Sequence, residues 1–182
     1  MALKSTVYKA QLNIADMDRD YYADHNLTLA CHPSETEERL MVRVLAFILY
    51  AGEDLEFTRG LSSEDEPDLW QKDLTGDILH WIELGMPDET RIRKACHRAR
   101  RVTVLTYGDN APAIWWEKIR KDVQRFDNLH ILNIPEAVSA PLAALADRGM
   151  ALQASIQDGT VWLSAGEAPL EIRPAVWRGT GQ

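Results

Sequence analysis

Residues 66–95 read EPDLWQKDLTGDILHWIELGMPDETRIRKA. Within them, Asp77 to Leu84 (DILHWIEL) is rich in Ile, Leu and Trp and is stopped by Gly85 and Pro87, which is the composition and punctuation of a buried strand. Glu83 interrupts that apolar run. A carboxylate inside a strand is costly to bury unless something pairs with it, and Asp68, behind Pro67 at the start of a neighbouring strand, can set a second carboxylate beside it. Two carboxylates at one point make a site for a hard cation. Magnesium takes one or two protein carboxylates and keeps several waters, which suits a cleft open to a phosphate-bearing substrate. The structural alternative is that Glu83 sits at a strand edge and faces solvent, or pairs with an arginine of the helix that follows.

That helix is expected over about Asp88 to Arg101, with Ile92, Ala95, Cys96 and Ala99 facing inward. Arg91, Arg93, Lys94, Arg98, Arg100 and Arg101 place six permanent positive charges in eleven residues, with His97 among them. On a helical wheel Arg91 and Arg98 flank the apolar face, while Lys94 lies further round. Such a surface holds a phosphate backbone by charge, without regard to sequence. It would equally answer the acidic segment Glu53 to Asp68, where seven acids stand against one base.

Outward from this block, strand, helix and strand occur in order twice. The helix at 88–101 runs into Val102 to Tyr107, and a second helix, Ala113 to Phe126, precedes the apolar Leu129 to Ile134 (LHILNI). Two crossover units in a partly parallel sheet follow from that order. Upstream, Ser34 as N-cap and Glu37 as its capping-box partner open a helix with an apolar stripe of Leu40, Met41, Val44, Leu45, Ile48 and Leu49, ended by Gly52. Glu37 and Glu38 in its first turn are within reach of the sheet, although capping and the helix dipole already account for acids there. Leu55 to Leu61 reads as a short strand and residues 62–66 as an acidic loop. At the N-terminus, residues 5–14 and 21–31 alternate and form a hairpin. Near the C-terminus, Pro135 to Arg148 is helical with a break at Pro141, and Ala151 to Ile156 and Thr160 to Ser164 flank the turn Gln157-Asp158-Gly159. The expected fold is α/β with a mixed sheet and added β-hairpins at both ends, in a single domain over residues 1–182.

Composition narrows the function. With 46% hydrophobic and 26% charged residues, 10 Gly and 8 Pro, the chain is neither disordered nor fibrous. Its longest mainly apolar stretch, Leu40 to Ala51, contains Arg43 and falls short of the roughly 20 residues that cross a bilayer. No secretory signal opens the chain, and Cys31 and Cys96 have no CxxC spacing, so a cytoplasmic protein with free thiols and no membrane partner is expected. No GxSxG, no phosphate-binding glycine loop and no HExxH is present, and the five histidines are scattered, so carboxylate chemistry remains. The net charge of -8 opposes nucleic-acid binding except where basic residues gather, as they do between Arg91 and Arg101. His80, His97 and the six tryptophans read as structural residues.

With YKAQLNIADMDRDYYADHNLTLACHPSETEERLMVRVLAF (residues 8–47), the block 66–95 and VTVLTYG (102–108) in view, the chain resembles the YaeQ family of bacterial proteins over nearly all its length. That family is similar to a variant of the PD-(D/E)XK nuclease superfamily, whose restriction-endonuclease-like core is a helix, a three-stranded meander and a helix-strand unit, here residues 34–107. The resemblance implies that Pro67-Asp68 is the PD element and Glu83 the second acid. Gly85 stands where the pattern has lysine. In some variants the basic residue moves into the following helix, where Lys94 is the nearest lysine and Arg91 its rival; Gln71 and Lys72 are further candidates. Glu38 or Glu37 corresponds to the helix acid that some nucleases add to the metal site. The resemblance thus implies a magnesium-dependent nuclease or phosphodiesterase acting on nucleic acid, with manganese as a substitute ion. Asp68, Glu83 and Lys94 would be catalytic, Asp68, Glu83 and Glu38 would hold the metal, and Arg91 and Arg98 would contact phosphate. The alternative is a non-catalytic regulatory protein that keeps the fold and binds nucleic acid or protein.

Overall fold

The computed structural model describes residues 4–60 and 63–179. Strands β1 (Thr6–Asp16) and β2 (Tyr21–Cys31) form the expected N-terminal hairpin, antiparallel from Thr6 opposite Cys31 to Asp16 opposite Tyr21. Along β1, Tyr8, Ala10, Leu12 and Ile14 are buried and their neighbours exposed, so one face is core and the other solvent. Helix α1 (Glu37–Tyr50) follows. Its N-cap is Thr36, whose side chain accepts from the Arg39 N–H, and not Ser34, whose hydroxyl is bonded to His32 Nδ1 at 2.7 Å. Residues 40–48 of α1 are all buried, the mark of a helix enclosed on every side.

A short β3 (Leu55–Phe57), β4 (Leu69–Lys72) and β5 (Ile78–Leu84) form an antiparallel meander. The strand expected from Leu55 to Leu61 thus stops at Phe57, and Leu61 and Ser62 lie outside the described residues. Helix α2 (Glu89–Arg98), capped by Asp88, leads into β6 (Ala99–Gly108), which lies parallel to β5. The helix ends three residues earlier than its pattern suggests, because Ala99, opposite Ile78, already belongs to the sheet. Helix α3 (Ala111–Ile119) gives way to turns before β7 (Leu129–Pro135), parallel to β6. Helix α4 (Glu136–Ala143) passes through Pro141 without the expected break. Strands β8 (Gly149–Gln157) and β9 (Thr160–Ser164) make the expected hairpin, and two further strands, β10 (Leu170–Ile172) and β11 (Ala175–Arg178), complete the chain.

The strands sort into two mixed sheets, where the sequence pattern suggested one sheet with hairpins added. The first has the order β10-β9-β8-β1-β2 and the second β11-β7-β6-β5-β4-β3. The two hairpins from opposite ends of the chain join through the parallel pairing of β1 with β8, Lys9 opposite Gly149 through Asp16 opposite Ile156. Helix α1 lies between the sheets: Leu40, Leu45 and Ile48 belong to one apolar cluster with Leu12, Leu29 and Leu152 of the first sheet and Leu69, Ile82 and Leu105 of the second. The other face of the second sheet, with Trp81, Val102, Val104 and Ile131, packs with Ile92 and Ala95 of α2 and with Val123 and Phe126. Among the described residues, no helix is long and apolar enough to cross a membrane. Cys31 and Cys96 are buried free thiols.

His80 is a structural residue of this core. It is 6% exposed, bonded through Nε2 to Thr103 Oγ1 at 2.8 Å and packed edge-on to the Tyr50 ring at 4.8 Å. Burial, helped by the charge of Arg101 and by His130, lowers its pKa from 6.5 to about 3. The folded protein therefore refuses a proton that the unfolded chain accepts, and stability is lost as the pH falls from 6.5 toward 3. Urea unfolding over that range should show wild type losing stability more steeply than His80→Gln, by up to about 1.4 kcal/mol per pH unit. Parallel pH profiles would contradict the assignment.

Candidate functional site: two carboxylates and two arginines in one cleft

The pairing of Leu69 with Ile82 carries Asp68 and Glu83 to neighbouring positions at one end of β4 and β5. The backbone of Asp68 is held from both sides, by its own N–H on Ile82 O (3.1 Å) and by the Thr58 N–H on its carbonyl (3.1 Å). Pro67, buried, contributes a carbonyl that accepts from the Thr58 hydroxyl. Asp68 is 2% exposed and Glu83 8%. Every carboxylate oxygen has a donor. The Leu84 N–H gives to Asp68 Oδ2 (2.8 Å) and Arg39 Nη2 to Asp68 Oδ1 (2.7 Å). Trp81 Nε1 gives to Glu83 Oε2 (2.8 Å) and Arg91 Nε to Glu83 Oε1 (2.8 Å). Asp68, Glu83, Arg39 and Arg91 line a cleft of about 310 Å³ together with the segment around Glu64 and Glu66.

Burial raises the pKa of Glu83; Arg91 lowers it in part, and the charge of Asp68 raises it again. Asp68 and Glu83 therefore repel one another across the cleft, although each has its own arginine. Tyr107, whose pKa is likewise raised by burial, feels Arg39, Glu38 and Asp68 and so belongs to the same charged neighbourhood.

Arg39 reaches further. Its Nη1 bonds Glu35 Oε1 at 3.2 Å, and Glu35 also receives Arg43 Nε (2.8 Å) and Nη2 (3.0 Å), while Arg43 Nη2 gives to Ala30 O of β2 (2.9 Å). Asp68, Arg39, Glu35 and Arg43 thus form one chain of alternating charge, their side chains between 2% and 14% exposed. It ties the second sheet to α1 and to the edge of the first. The signal for it stands in the sequence, because Glu35, Arg39 and Arg43 are spaced four apart, the spacing that stacks ion pairs along a helix. Arg43 inside the apolar run was the visible part of that signal.

The remaining expected residues are dispersed. Half-buried Arg91 and exposed Arg98 are both engaged by the acidic loop. Arg91 Nη1 and Nη2 hold the carbonyls of Glu64 (2.7 Å) and Glu66 (2.9 Å), and Arg98 Nη1 holds that of Asp65 (2.8 Å), so α2 anchors the acidic loop through its backbone. Arg98 also lies over the Trp81 ring at 5.1 Å. Lys94 is exposed and lines, with Arg91, Arg98 and His97, a neighbouring cleft of about 920 Å³ that contains neither Asp68 nor Glu83. Glu38 is half-buried and accepts from Ser139 Oγ at 3.4 Å. Exposed Glu37 accepts from Tyr8 Oη at 3.4 Å. Among the described residues, no three His, Cys, Asp or Glu side chains are grouped to hold a metal, so the site offers the pair Asp68 and Glu83 without Glu38. Lys72 stacks on Trp70 at 3.8 Å, and Gln71 lines a cavity elsewhere.

Gly85 stands where the resemblance would place a lysine. Its φ is +96°, which an L side chain rarely adopts, and its N–H bonds Leu105 O (2.9 Å) as the chain turns away from β5.

Two mixed sheets around a buried helix, with a paired-carboxylate cleft at the end of the meander, define a mixed α/β protein. The chain belongs to the YaeQ family: the family model described as "YaeQ protein" matches residues 1–174. It is 50% identical over 178 residues to the Salmonella typhi protein named "Uncharacterized protein YaeQ", and 48% identical to the Escherichia coli protein of the same name, covering 98% of each chain in both cases. The crystal structure of the YaeQ protein from Xanthomonas axonopodis pv. citri superposes with a TM-score of 0.93 at 50% identity, covering 97% of this chain and 99% of that one. The Pseudomonas syringae YaeQ structure does so with 0.93 at 38%, covering 98% of each.

The charge chain makes Arg39 a structural keystone. Arg39→Met should lower the unfolding free energy by about 3–5 kcal/mol, because it leaves Asp68 buried without its cation, while Glu35 keeps Arg43. Urea unfolding reads this directly, and a loss below about 1 kcal/mol would contradict it. Gly85→Lys should cost about 1–3 kcal/mol through backbone strain, read by the same urea unfolding.

Proposed function

We propose that this protein is a magnesium-dependent nuclease or phosphodiesterase of the PD-(D/E)XK type, acting on nucleic acid phosphodiester bonds. The observation that carries this reading is the convergence of Asp68 and Glu83, buried on adjacent strands, on one cleft. Two mutually repelling carboxylates at a strand end are a cost that a purely structural site would avoid. The order of helix, antiparallel meander, helix and parallel strand between Glu37 and Gly108 supports reading the region as a variant of the restriction-endonuclease-like core.

The donor set fits a magnesium ion. Each carboxylate oxygen accepts one hydrogen bond and keeps a lone pair. Burial is the main cause of the raised Glu83 pKa, and a divalent cation held by Asp68 and Glu83 would offset both that cost and the added repulsion from Asp68. Once bound, such an ion lowers the pKa of a coordinated water and stabilises charge on the phosphate. Manganese, of similar hardness, serves as substitute.

The protein's own groups divide the remaining work. Arg91 takes the place of the absent lysine as the positive group beside Glu83. It commits three of its five N–H donors to Glu83, Glu64 and Glu66, leaving two for a phosphate oxygen. A guanidinium stays charged, so Arg91 orients and stabilises but takes no proton. Lys94 and Arg98, in the adjoining cleft with His97, contact the phosphate backbone away from the scissile bond.

A second reading has its own observation. Arg39 and Arg91 already balance both carboxylates, and Gly85 holds the lysine position, as expected of a regulatory protein that keeps the fold and binds nucleic acid or protein without cleaving it.

Incubation with single- and double-stranded DNA and RNA in Mg²⁺ or Mn²⁺ separates the two. The nuclease reading expects cleavage that Asp68→Ala abolishes, that Arg91→Ala lowers by about 10²–10³, and that Lys94→Ala leaves largely intact. Cleavage that survives Asp68→Ala, or no cleavage of any substrate, overturns it. Retained binding that weakens steeply with salt, without cleavage, supports the second reading.

A further inference from the structure

The first sheet has a core face and an outer face of unusual make-up. Leu12, Leu29 and Leu152 on the inner side belong to the core around α1. The alternate residues of β1, β2 and β8 point the other way and are exposed or half-buried. In a chain with 26% charged residues, the outward positions of all five strands hold three charges, Lys9, Asp24 and Glu171. Val7 and Tyr22 lie on the same face with 48% and 60% of their surface exposed, high for large side chains.

The outward pairs of β1 and β2 follow in the order Val7–Ala30, Lys9–Thr28, Gln11–Asn26, Asn13–Asp24 and Ala15–Tyr22. From either end the rows run apolar, charged, amide, charged, apolar, with the cation in one half and the anion in the other. A two-fold axis laid across the strands over the Gln11–Asn26 row, between two copies stacked face to face, brings each row onto its counterpart. Lys9 of one copy then meets Asp24 of the other on the neighbouring strand, and Val7 meets Ala15. The Gln11 amides, each both donor and acceptor, meet one another. Among the described residues, neither Lys9 nor Asp24 has an ion pair within the chain, and the Asp24 carboxylate accepts from Asn13 Nδ2 at 2.7 Å. Within one copy the two are two rows, about 13 Å, apart. Glu171, in line with Ala15 through Ser155 and Trp162, lies two rows from the axis, so its copy is about 27 Å away.

The relief of the face has the same symmetry. Two depressions of about 490 and 500 Å³ lie on either side of the Gln11–Asn26 row, one with Lys9 and Thr28, the other with Asn13 and Asp24. Gln153, opposite Asn13, comes over Gly149, opposite Lys9, so a long side chain faces a bare backbone. The four strands β1, β2, β8 and β9 cover about 600 Å² of plane in each copy, about 1,200 Å² for a pair, which is the lower bound for specific interfaces.

We propose that the outer face of the first sheet is the interface of a homodimer, two copies of this chain stacked face to face about that axis. The carboxylate cleft shares no lining residue with either depression and stays open in each copy. The dimer stands whether or not that cleft cleaves phosphodiesters.

Sedimentation equilibrium of the native full chain reads the mass, and a species of twice 20.6 kDa is expected from micromolar concentration upward. Gln11→Arg, which sets two cations against each other on the axis, should raise the dissociation constant about tenfold or more. Lys9→Glu and Asp24→Lys should each do the same, and the two together should restore wild-type association, because the exchanged charges meet only between copies. Lys118→Glu, on exposed α3, should leave association unchanged. Circular dichroism confirms that each variant is folded. A one-chain mass up to millimolar concentration, a dimer indifferent to Gln11→Arg, or a double variant no better than its single parents would overturn the proposal.

Discussion

The ion pair between Arg39 and Asp68 joins, at their edge, three parts of the molecule that also meet in one apolar core. It links the first turns of the buried helix to the start of β4, and through Glu35 and Arg43 it extends to the backbone of β2. Such a chain of charges is costly to desolvate and is retained only if every member is matched. Here two acids and two arginines alternate, and the Leu84 N–H completes Asp68. The geometry of the cleft follows, because Asp68 cannot swing away without unpairing Arg39. Glu83, fastened by Trp81 and Arg91, then faces it at fixed separation.

Loop, helix and cleft are coupled by the same economy. The acidic residues 64–66 are held through backbone carbonyls bonded to Arg91 and Arg98, and Glu66 also through its carboxylate, which accepts from Arg59. The basic helix therefore makes the two contacts that the structural alternatives in the sequence described. It answers the acidic segment, as a structural helix would, and it delivers Arg91 to Glu83. Lys94, further round α2, was left for the neighbouring cleft, as its wheel position suggested.

Much of this was legible because it is local. Alternation in β1 and β2 and the apolar runs of β5, β6 and β7 define strands by periodicity, and the carboxylate inside β5 stands out against its apolar neighbours. What escaped is long-range or too short to carry a period. Strands β10 and β11, of three and four residues, have no pattern to read. The pairing of β1 with β8 spans the whole chain, and it turns what looked like added hairpins into a second sheet. Thr36 displaced Ser34 as the cap because Ser34 is bonded to His32. The partner of Asp68 lies 29 residues upstream, and only the fold reveals that Arg39 points toward it.

The central claim is that Asp68 and Glu83 form a cation site and not merely two ion pairs. Calorimetric titration of Mn²⁺ and Mg²⁺ into wild type and Glu83→Gln tests it most directly. The account predicts one-site binding in wild type that disappears in the variant while the fold is kept. No binding to wild type, or equal binding to both proteins, would contradict it.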